Sequence, residues 1–462
     1  MNRNPSTNNA TTAVPTGMKL GYSIGDFGAN LAFHTTGFYL MFYFTDVFGI
    51  LPGLAGTIFL VAKMWDAVSD PIMGTIADNT RSRWGKMRPY LLFGALPLGA
   101  AVFLLFYSPD IAPEYRFYYG LIAFILFSTT ITIVNVPYLA LTPSLTVDSH
   151  ERSVVTGVRV VFGIVGALAA AGATLPLVGL FGGEDQVVGF RTVGLVYGVV
   201  VCVVSLISFL TVRERVHLTE PVKSSFRENL KSITKNRPFI ILTLGVFLHM
   251  IGMNIMAIVV NYYFKYNLEM EPLIPVAFLA LFVTAGASIP LFVFISKKTG
   301  KKNAYNIGMG IVAFMTLFIF LLGDKTLAVG GASIPVILVL LVLVGVGLST
   351  NWLSPWSMIP DTVEYSQHKT GLRREGILYG VFYFVFKAGT ALAGFMVGRM
   401  LDVFGYVANE TQTDGALLGI RVLLTLVPMA FLTGGIIVIS LYPIDAESHR
   451  KMVEEIEKRE EN

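Results

Sequence analysis

The chain has 462 residues, of which 54% are hydrophobic and only 14% charged, with a mean hydropathy of +0.66. So little charge cannot cover the surface of a soluble domain of this size, and a net charge of +4 is too small to point to nucleic acid. The single cysteine, Cys202, lies in an apolar run, which excludes a disulfide framework and a cysteine metal site.

Residues 1–17 are polar, rich in Asn and Thr, and lack an apolar core, so they read as a disordered cytoplasmic tail rather than a signal peptide. Apolar runs then predict twelve spans, near 20–46, 53–77, 90–107, 117–145, 154–180, 192–212, 239–264, 273–296, 304–323, 334–360, 375–404 and 418–442. Runs of about twenty apolar residues are of helical length, and only helices or closed barrels cross lipid. Arginine and lysine gather in alternate loops: Arg81, Arg83, Lys86 and Arg88, then Arg152, then the stretch 213–238, then Lys297, Lys298, Lys301 and Lys302, then Lys369, Arg373 and Arg374. The positive-inside rule makes that side cytoplasmic, and an even span number puts both termini there.

The long loop 213–238 falls at the middle and separates an N-terminal six-helix bundle, 18–212, from a C-terminal one, 239–442, followed by a cytoplasmic tail, 443–462. The halves echo each other. Arg83-Trp84-Gly85-Lys86 matches Lys298-Thr299-Gly300-Lys301, and Leu141-Thr142-Pro143-Ser144 matches Met358-Ile359-Pro360-Asp361 at nearly the same offset, as two parallel repeats would.

The informative residues are those lipid rejects. Span 1 carries Asp26, with Asn30 and His34 at the following turns; span 2 carries Lys63, Asp66 and Asp70; span 5 has Arg159 and span 11 has Lys387. Each charge at bilayer depth costs roughly 2.5–3.5 kcal/mol, so these must face a wet cavity and pair with one another. Lys63, Asp66 and Asp70 share one helix face, with Ser69 beside them. Two carboxylates one turn apart repel, so one holds a proton or a cation sits between them. Na⁺ could take oxygens from Asp66, Asp70, Ser69 and a hydroxyl such as Thr132 of span 4, and Lys63 could neutralise the pair when no cation is bound. The alternative is a structural salt-bridge cluster. Asp26, close to a helix end, is as well read as a tie to a neighbouring loop.

Arg159 and Lys387 are candidate contacts to sugar hydroxyls or a carboxylate, Arg as a fixed fork and Lys as a point charge. Either could instead pair with an aspartate. Asn351, Trp352 and Trp356 in span 10, with Tyr379 and Tyr383 in span 11, offer aromatic faces for a sugar ring; Trp352 and Tyr383 are the candidates among them. On the inner side Asp78, Arg81, Arg83, Arg88, Asp361, Glu364 and Arg373 could latch the bundles in one state and part in another, although basic loops also need no role beyond topology. No Walker A loop, nucleophile elbow, HExxH or paired CxxC occurs, so an ATP-driven pump or a membrane enzyme lacks its parts.

Several stretches resemble the glycoside–pentoside–hexuronide:cation symporter family, a branch of the major facilitator superfamily. They are Gly21-Tyr-Ser-Ile-Gly-Asp26, Tyr43-Phe-Thr-Asp46, Phe59-Leu-Val-Ala-Lys-Met-Trp-Asp66-Ala-Val-Ser-Asp70-Pro and Arg81-Ser-Arg-Trp-Gly-Lys-Met-Arg-Pro89. Asp361-Thr-Val-Glu364-Tyr, expected in loop 10–11, and Gly405-Tyr-Val-Ala-Asn409 complete the set. The resemblance implies an all-α major facilitator fold of twelve transmembrane helices in two bundles, alternating access, and uptake of a sugar with Na⁺ or H⁺. By position it implies that Asp66 and Asp70 are the cation carboxylates, Thr132 their helper hydroxyl, and Arg159 and Lys387 neighbours of the sugar and cation. Ser69 stands where the melibiose carriers have asparagine. Asn30 and Asn135 replace the two aspartates with which those carriers hold galactosides, and Leu139 replaces a tryptophan. The more positive cavity favours a neutral glycoside or a uronic-acid sugar. The resemblance further implies a multi-pass protein of the plasma (bacterial inner) membrane, monomeric, with no cofactor beyond its coupling ion. A carrier of an amphiphilic or lysolipid-like substrate, and a non-transporting sensor on the same fold, are the alternatives.

Overall fold

The computed structural model describes residues 14–146, 148–214, 233–329, 332–371 and 375–460, so Arg373 and most of the central basic stretch lie outside the described residues. The chain divides into two compact units, Met1–Pro221 and Val222–Asn462. The first holds α1 (Thr16–Phe42), α2 (Pro52–Asn79), α3 (Arg88–Leu105), α4 (Pro113–Ala140), α5 (Ser149–Gly182) and α6 (Gln186–Thr211). The second holds α7 (Arg237–Tyr262), α8 (Ile274–Thr299), α9 (Lys301–Leu322), α10 (Val336–Thr370) and α11 (Glu375–Val403). Its sixth span is α12 (Asp414–Leu424) and α13 (Leu426–Ser440), which meet at Thr425, and α14 (Ala446–Glu460) follows.

Local chemistry explains where these helices begin. Proline opens α2, α3, α4 and α7, where a missing N–H costs nothing. Asp148, Asp185, Asn236 and Thr413 accept free N–H groups at the starts of α5, α6, α7 and α12. Among the described residues, ten spans are long and apolar enough to cross a membrane by length and composition. The two long helices left out of that ten are α1 and α2, which carry Asp26 and Lys63, Asp66 and Asp70 within them, and with them the count is twelve.

Each unit repeats one pairing scheme. In the first, α1 packs on α5 and α6, α4 on α2 and α3, and α3 on α6; in the second, α7 packs on α11 and α13, α10 on α8 and α9, and α9 on α13. Gly85 and Gly300, in the matching turns, both take positive φ, +104° and +86°. The repeat extends beyond the matching loops: α1 and α7 both end in a π-helical turn, Tyr43–Val47 and Tyr263–Asn267, and each turn opens with Tyr-Phe.

Three spans depart from expectation. The sequence predicts a fourth span through residue 145, but α4 stops at Ala140 and a separate turn, Thr142–Leu145, follows. Pro143 has no N–H to continue the ladder. The predicted tenth span ends at Pro360, yet α10 runs to Thr370 and stops at Gly371, φ +71°. A proline removes one intrahelical bond, which a packed membrane helix tolerates; the left-handed glycine is the true stop. Asp361 and Glu364 therefore sit on a helix, not in a loop. The twelfth span breaks at Thr425, and an antiparallel hairpin, β1 (Thr326–Val329) with β2 (Ala332–Pro335), follows α9.

Candidate functional site

On α2, Lys63, Asp66 and Ser69 are buried and Asp70 is half-buried. The neighbouring helix α4 brings Thr132 to them. Its hydroxyl lies 3.1 Å from Asp66 Oδ1 and 2.9 Å from Asp70 Oδ1, and it accepts from Ser69 Oγ at 3.3 Å. Ser69 Oγ is also placed to donate to the Asp66 carbonyl, at 3.1 Å. A hydroxyl has one hydrogen to give. Thr132 can therefore donate to only one of the two carboxylates at a time, and two carboxylates this close favour a proton or a cation beside them. The four oxygen groups named from the sequence are thus brought together. Lys63 Nζ sits between the rings of Phe33 and Phe124, 5.0 and 5.3 Å from their centroids. The exposed side of the same helix pair is pinned by Trp65, whose indole N–H donates to Thr129 Oγ1 at 2.9 Å.

A second group joins α1 to α5. Asp26 is well inside α1, not near its end, and its Oδ1 lies 4.0 Å from Arg159 Nε. That makes it an interhelical charge partner, so the reading of Asp26 as a tie to a loop is corrected. Arg159 Nε is buried and has no hydrogen-bond partner among the described residues. Asn30 Nδ2 donates to the Asp26 carbonyl at 2.9 Å, which fixes its carbonyl oxygen toward the other side. Close approach depends on Gly163 of α5: a Cβ there would stand 2.6 Å from Asp26 Oδ2 and 2.9 Å from Asn30 Nδ2. Tyr22 and Tyr138 clamp α1 to α4 next to this pair. Each hydroxyl donates to the other residue's carbonyl, at 3.1 and 2.7 Å, and the rings stack at 4.7 Å. Asn135 lines a narrow crevice with Gly25, Tyr138 and Ser208.

In the second unit Lys387 Nζ lies 5.5 Å from the Tyr383 ring centroid. Trp352 is stacked flat on Phe282 of α8. A buried polar chain, which residue spacing does not reveal, runs beside it. His249 Nε2 faces the Leu432 carbonyl at 3.1 Å, so that nitrogen carries the hydrogen, and Nδ1 is 2.8 Å from the Tyr305 hydroxyl. Tyr305 in turn lies 3.4 Å from Asn351 Oδ1.

The loop-end charges are mostly held inside their own units. Asp78 and Arg81 are exposed, and Arg83 stacks over Trp84 at 4.2 Å. Arg88 donates to the Phe209 carbonyl at 2.8 Å, and its guanidinium covers the Phe209 ring at 4.8 Å. Glu214, not singled out from sequence, accepts the N–H groups of Lys86, Met87 and Arg88 at 3.0, 2.7 and 3.2 Å, capping α3. Asp361 is gripped by Lys301 Nζ at 2.7 and 2.8 Å. His449 of α14 reaches Glu364 at 2.5 Å and Asp361 at 3.5 Å. Further along, His368 meets Glu455 at 2.7 Å and holds that carboxyl below the usual glutamate range, while Arg459 donates to the His368 carbonyl at 2.9 Å. Asp445 caps α14 by accepting the Ser448 N–H at 2.8 Å. The C-terminal helix is thus docked on the end of α10, a contact between residues nearly ninety positions apart that no spacing rule could supply.

Comparison with known proteins matches residues 21–446 to the family described as MFS/sugar transport protein. The uncharacterized symporter YnaJ of Bacillus subtilis is 35% identical over 96% of this chain and 95% of its own length. The isoprimeverose transporter of Lactiplantibacillus pentosus is 32% identical over 96% and 92%, and the glucuronide carrier protein homolog of Escherichia coli 30% over 95% of each. Among solved structures, an inward-facing bacterial homologue of the human lysosomal transporter Spinster superposes with a TM-score of 0.68, covering 95% of this chain and 96% of that one. At 14% identity that likeness shows the fold alone. The chain belongs to the MFS/sugar transport protein family, and is a multi-pass transporter of the bacterial inner membrane rather than an enzyme.

Proposed function

We propose that the protein couples the uptake of a glycoside, pentoside or hexuronide to the entry of Na⁺ or H⁺. The observation that carries this reading is the sharing of one Thr132 hydroxyl between Asp66 and Asp70, with Ser69 alongside. Four oxygen groups, two of them carboxylates, converge inside a membrane helix pair. That is the donor set a hard cation or a proton takes, and a transporter with such a set has the basic requirement for symport. The relatives named for isoprimeverose and glucuronide supply the substrate class.

In this reading Asp66, Asp70, Ser69 and Thr132 hold the cation, and Lys63 offsets their charge between cycles. Asp26, Asn30, Asn135 and Arg159 are the candidate sugar contacts of the first unit; Lys387 and Tyr383 are those of the second. Arg159 has a buried nitrogen ready for an acceptor. Coupling is reciprocal, so bound sugar tightens the cation and bound cation tightens the sugar. Asp361 and Glu364 already have partners within their unit, Lys301 and His449.

The test is sugar-induced cation entry into de-energised proteoliposomes, with Na⁺ and pH read separately across a panel of methyl glycosides and glucuronides. Uptake of a glycoside that moves neither ion would overturn the proposal.

A further inference from the structure

Two tryptophans stand four residues apart on α10, and their surroundings differ. Trp352 lies on Phe282 with centroids 5.5 Å apart and planes 2° from parallel, so one of its faces is already covered inside the unit. Trp356 is 39% exposed. Three rings of α11 frame it: Phe382 at 5.4 Å, Tyr383 at 6.1 Å and Phe386 at 6.3 Å. Tyr383 and Phe386 stack on each other at 6.1 Å and 16°. The next residue is Lys387, whose ammonium lies over Tyr383.

The lysine identifies what this aromatic surface faces. Lys387 is near the middle of α11, and at that depth an ammonium in lipid would cost roughly 2.5–3.5 kcal/mol. Its face of the helix must therefore turn away from lipid. Tyr383, one turn earlier, shares that face, and Trp356 packs on Tyr383. The exposed aromatic area beside Lys387 lies on that lipid-averse side of α11.

We propose that Trp356, framed by Tyr383 and Phe386 and flanked by Lys387, is the stacking platform that selects the transported pyranoside; this rests on the glycoside-symport reading above. One face of a pyranose ring is a patch of C–H groups, which packs on a flat indole as another ring would. The ammonium alongside, with three donors, takes the ring hydroxyls or a uronate oxygen. Trp352, with one face stacked on Phe282, ties α10 to α8.

The experiment compares Trp356→Ala, Trp356→Phe and Trp352→Ala in proteoliposomes, using methyl β-D-glucuronide and methyl β-D-xyloside. A parallel measurement uses the protein with Trp65, Trp84 and Trp352 changed to Phe, following quenching of the remaining indole by 4-nitrophenyl β-D-glucuronide and 4-nitrophenyl β-D-xyloside. Trp356→Ala should raise KM at least tenfold with Vmax within twofold, Trp356→Phe should recover most of the affinity, and Trp352→Ala should leave KM within threefold. The single-tryptophan protein should be quenched, and the methyl glycoside should reverse it. Transport that persists with KM unchanged in Trp356→Ala, or with no quenching of Trp356, would overturn the platform and leave symport standing. Failure of the parent protein to carry either sugar would overturn the symport reading and the platform with it.

Discussion

The two six-helix units share a pairing scheme and differ in what they bury. In the first, α2 places Lys63, Asp66 and Ser69 out of water. Its counterpart α8 has no charged residue before Lys297. Within its spans the second unit buries a neutral chain, His249, Tyr305 and Asn351, that ends on a carbonyl, and keeps its buried Asp361 paired with Lys301 at the helix end. Neutral hydrogen-bonded groups are far less costly to bury than charges. The polar chain in the second unit is complete as it stands, whereas the carboxylate pair in the first depends on which cations stand beside it. The counterparts α5 and α11 each carry a cation within the span, Arg159 and Lys387. A duplicated scaffold thus holds a candidate cation site in one copy and a mainly aromatic surface in the other.

Substitutions can break that contrast. The largest effect should come from Asp66→Asn or Asp70→Asn, each lowering cation-driven sugar accumulation by a factor of about one hundred or more, in line with the cost of losing a buried charged group; steady-state uptake in proteoliposomes reads it. Accumulation retained in both variants would make the first unit's charges structural. Next is Gly163→Val, whose added carbons would push into Asp26 and Asn30. Transport should fall at least tenfold, while Gly286→Ala in the second unit, with open space around it, should change stability by less than about 0.5 kcal/mol.

The neutral network can be probed through Gly435, where a Cβ would stand 2.3 Å from His249 Cδ2 and Nε2. Gly435→Ala should cost about 1–3 kcal/mol, the range for overpacking a filled core, seen as a lower melting temperature in detergent. The smallest effect concerns the docked α14. The Glu455 carboxyl is held below its ordinary range by His368, so this contact stabilises the docked helix above the free glutamate value of about 4.3. Its contribution is lost as pH falls through the depressed value. Protease sensitivity of 446–460 should rise in acid, and Glu455→Gln should flatten that dependence.

Much of this is legible in the sequence. Ten of the spans follow from apolar length, and the α2 face follows from a spacing of three and four residues, because a helix converts such spacing directly into proximity. Other features depend on neighbours that spacing cannot name. Trp352 and Trp356 look equivalent along the chain; Phe282 on α8 and three rings on α11 make them different. Gly163 reads as an ordinary small residue until Asp26 and Asn30 are set against it. Pro360 reads as a stop, which misplaces Asp361 and Glu364, because proline signals a break in water more firmly than in a packed membrane helix.

The two carboxylates beside the Thr132 hydroxyl also bear on energetics. In a symporter the number of elementary charges that cross with each sugar limits how steep a gradient it can build. One charge crossing a 100 mV potential releases about 2.3 kcal/mol. This corresponds to a sugar concentration ratio of roughly fifty across the membrane. A second sodium or proton per sugar would square that ratio.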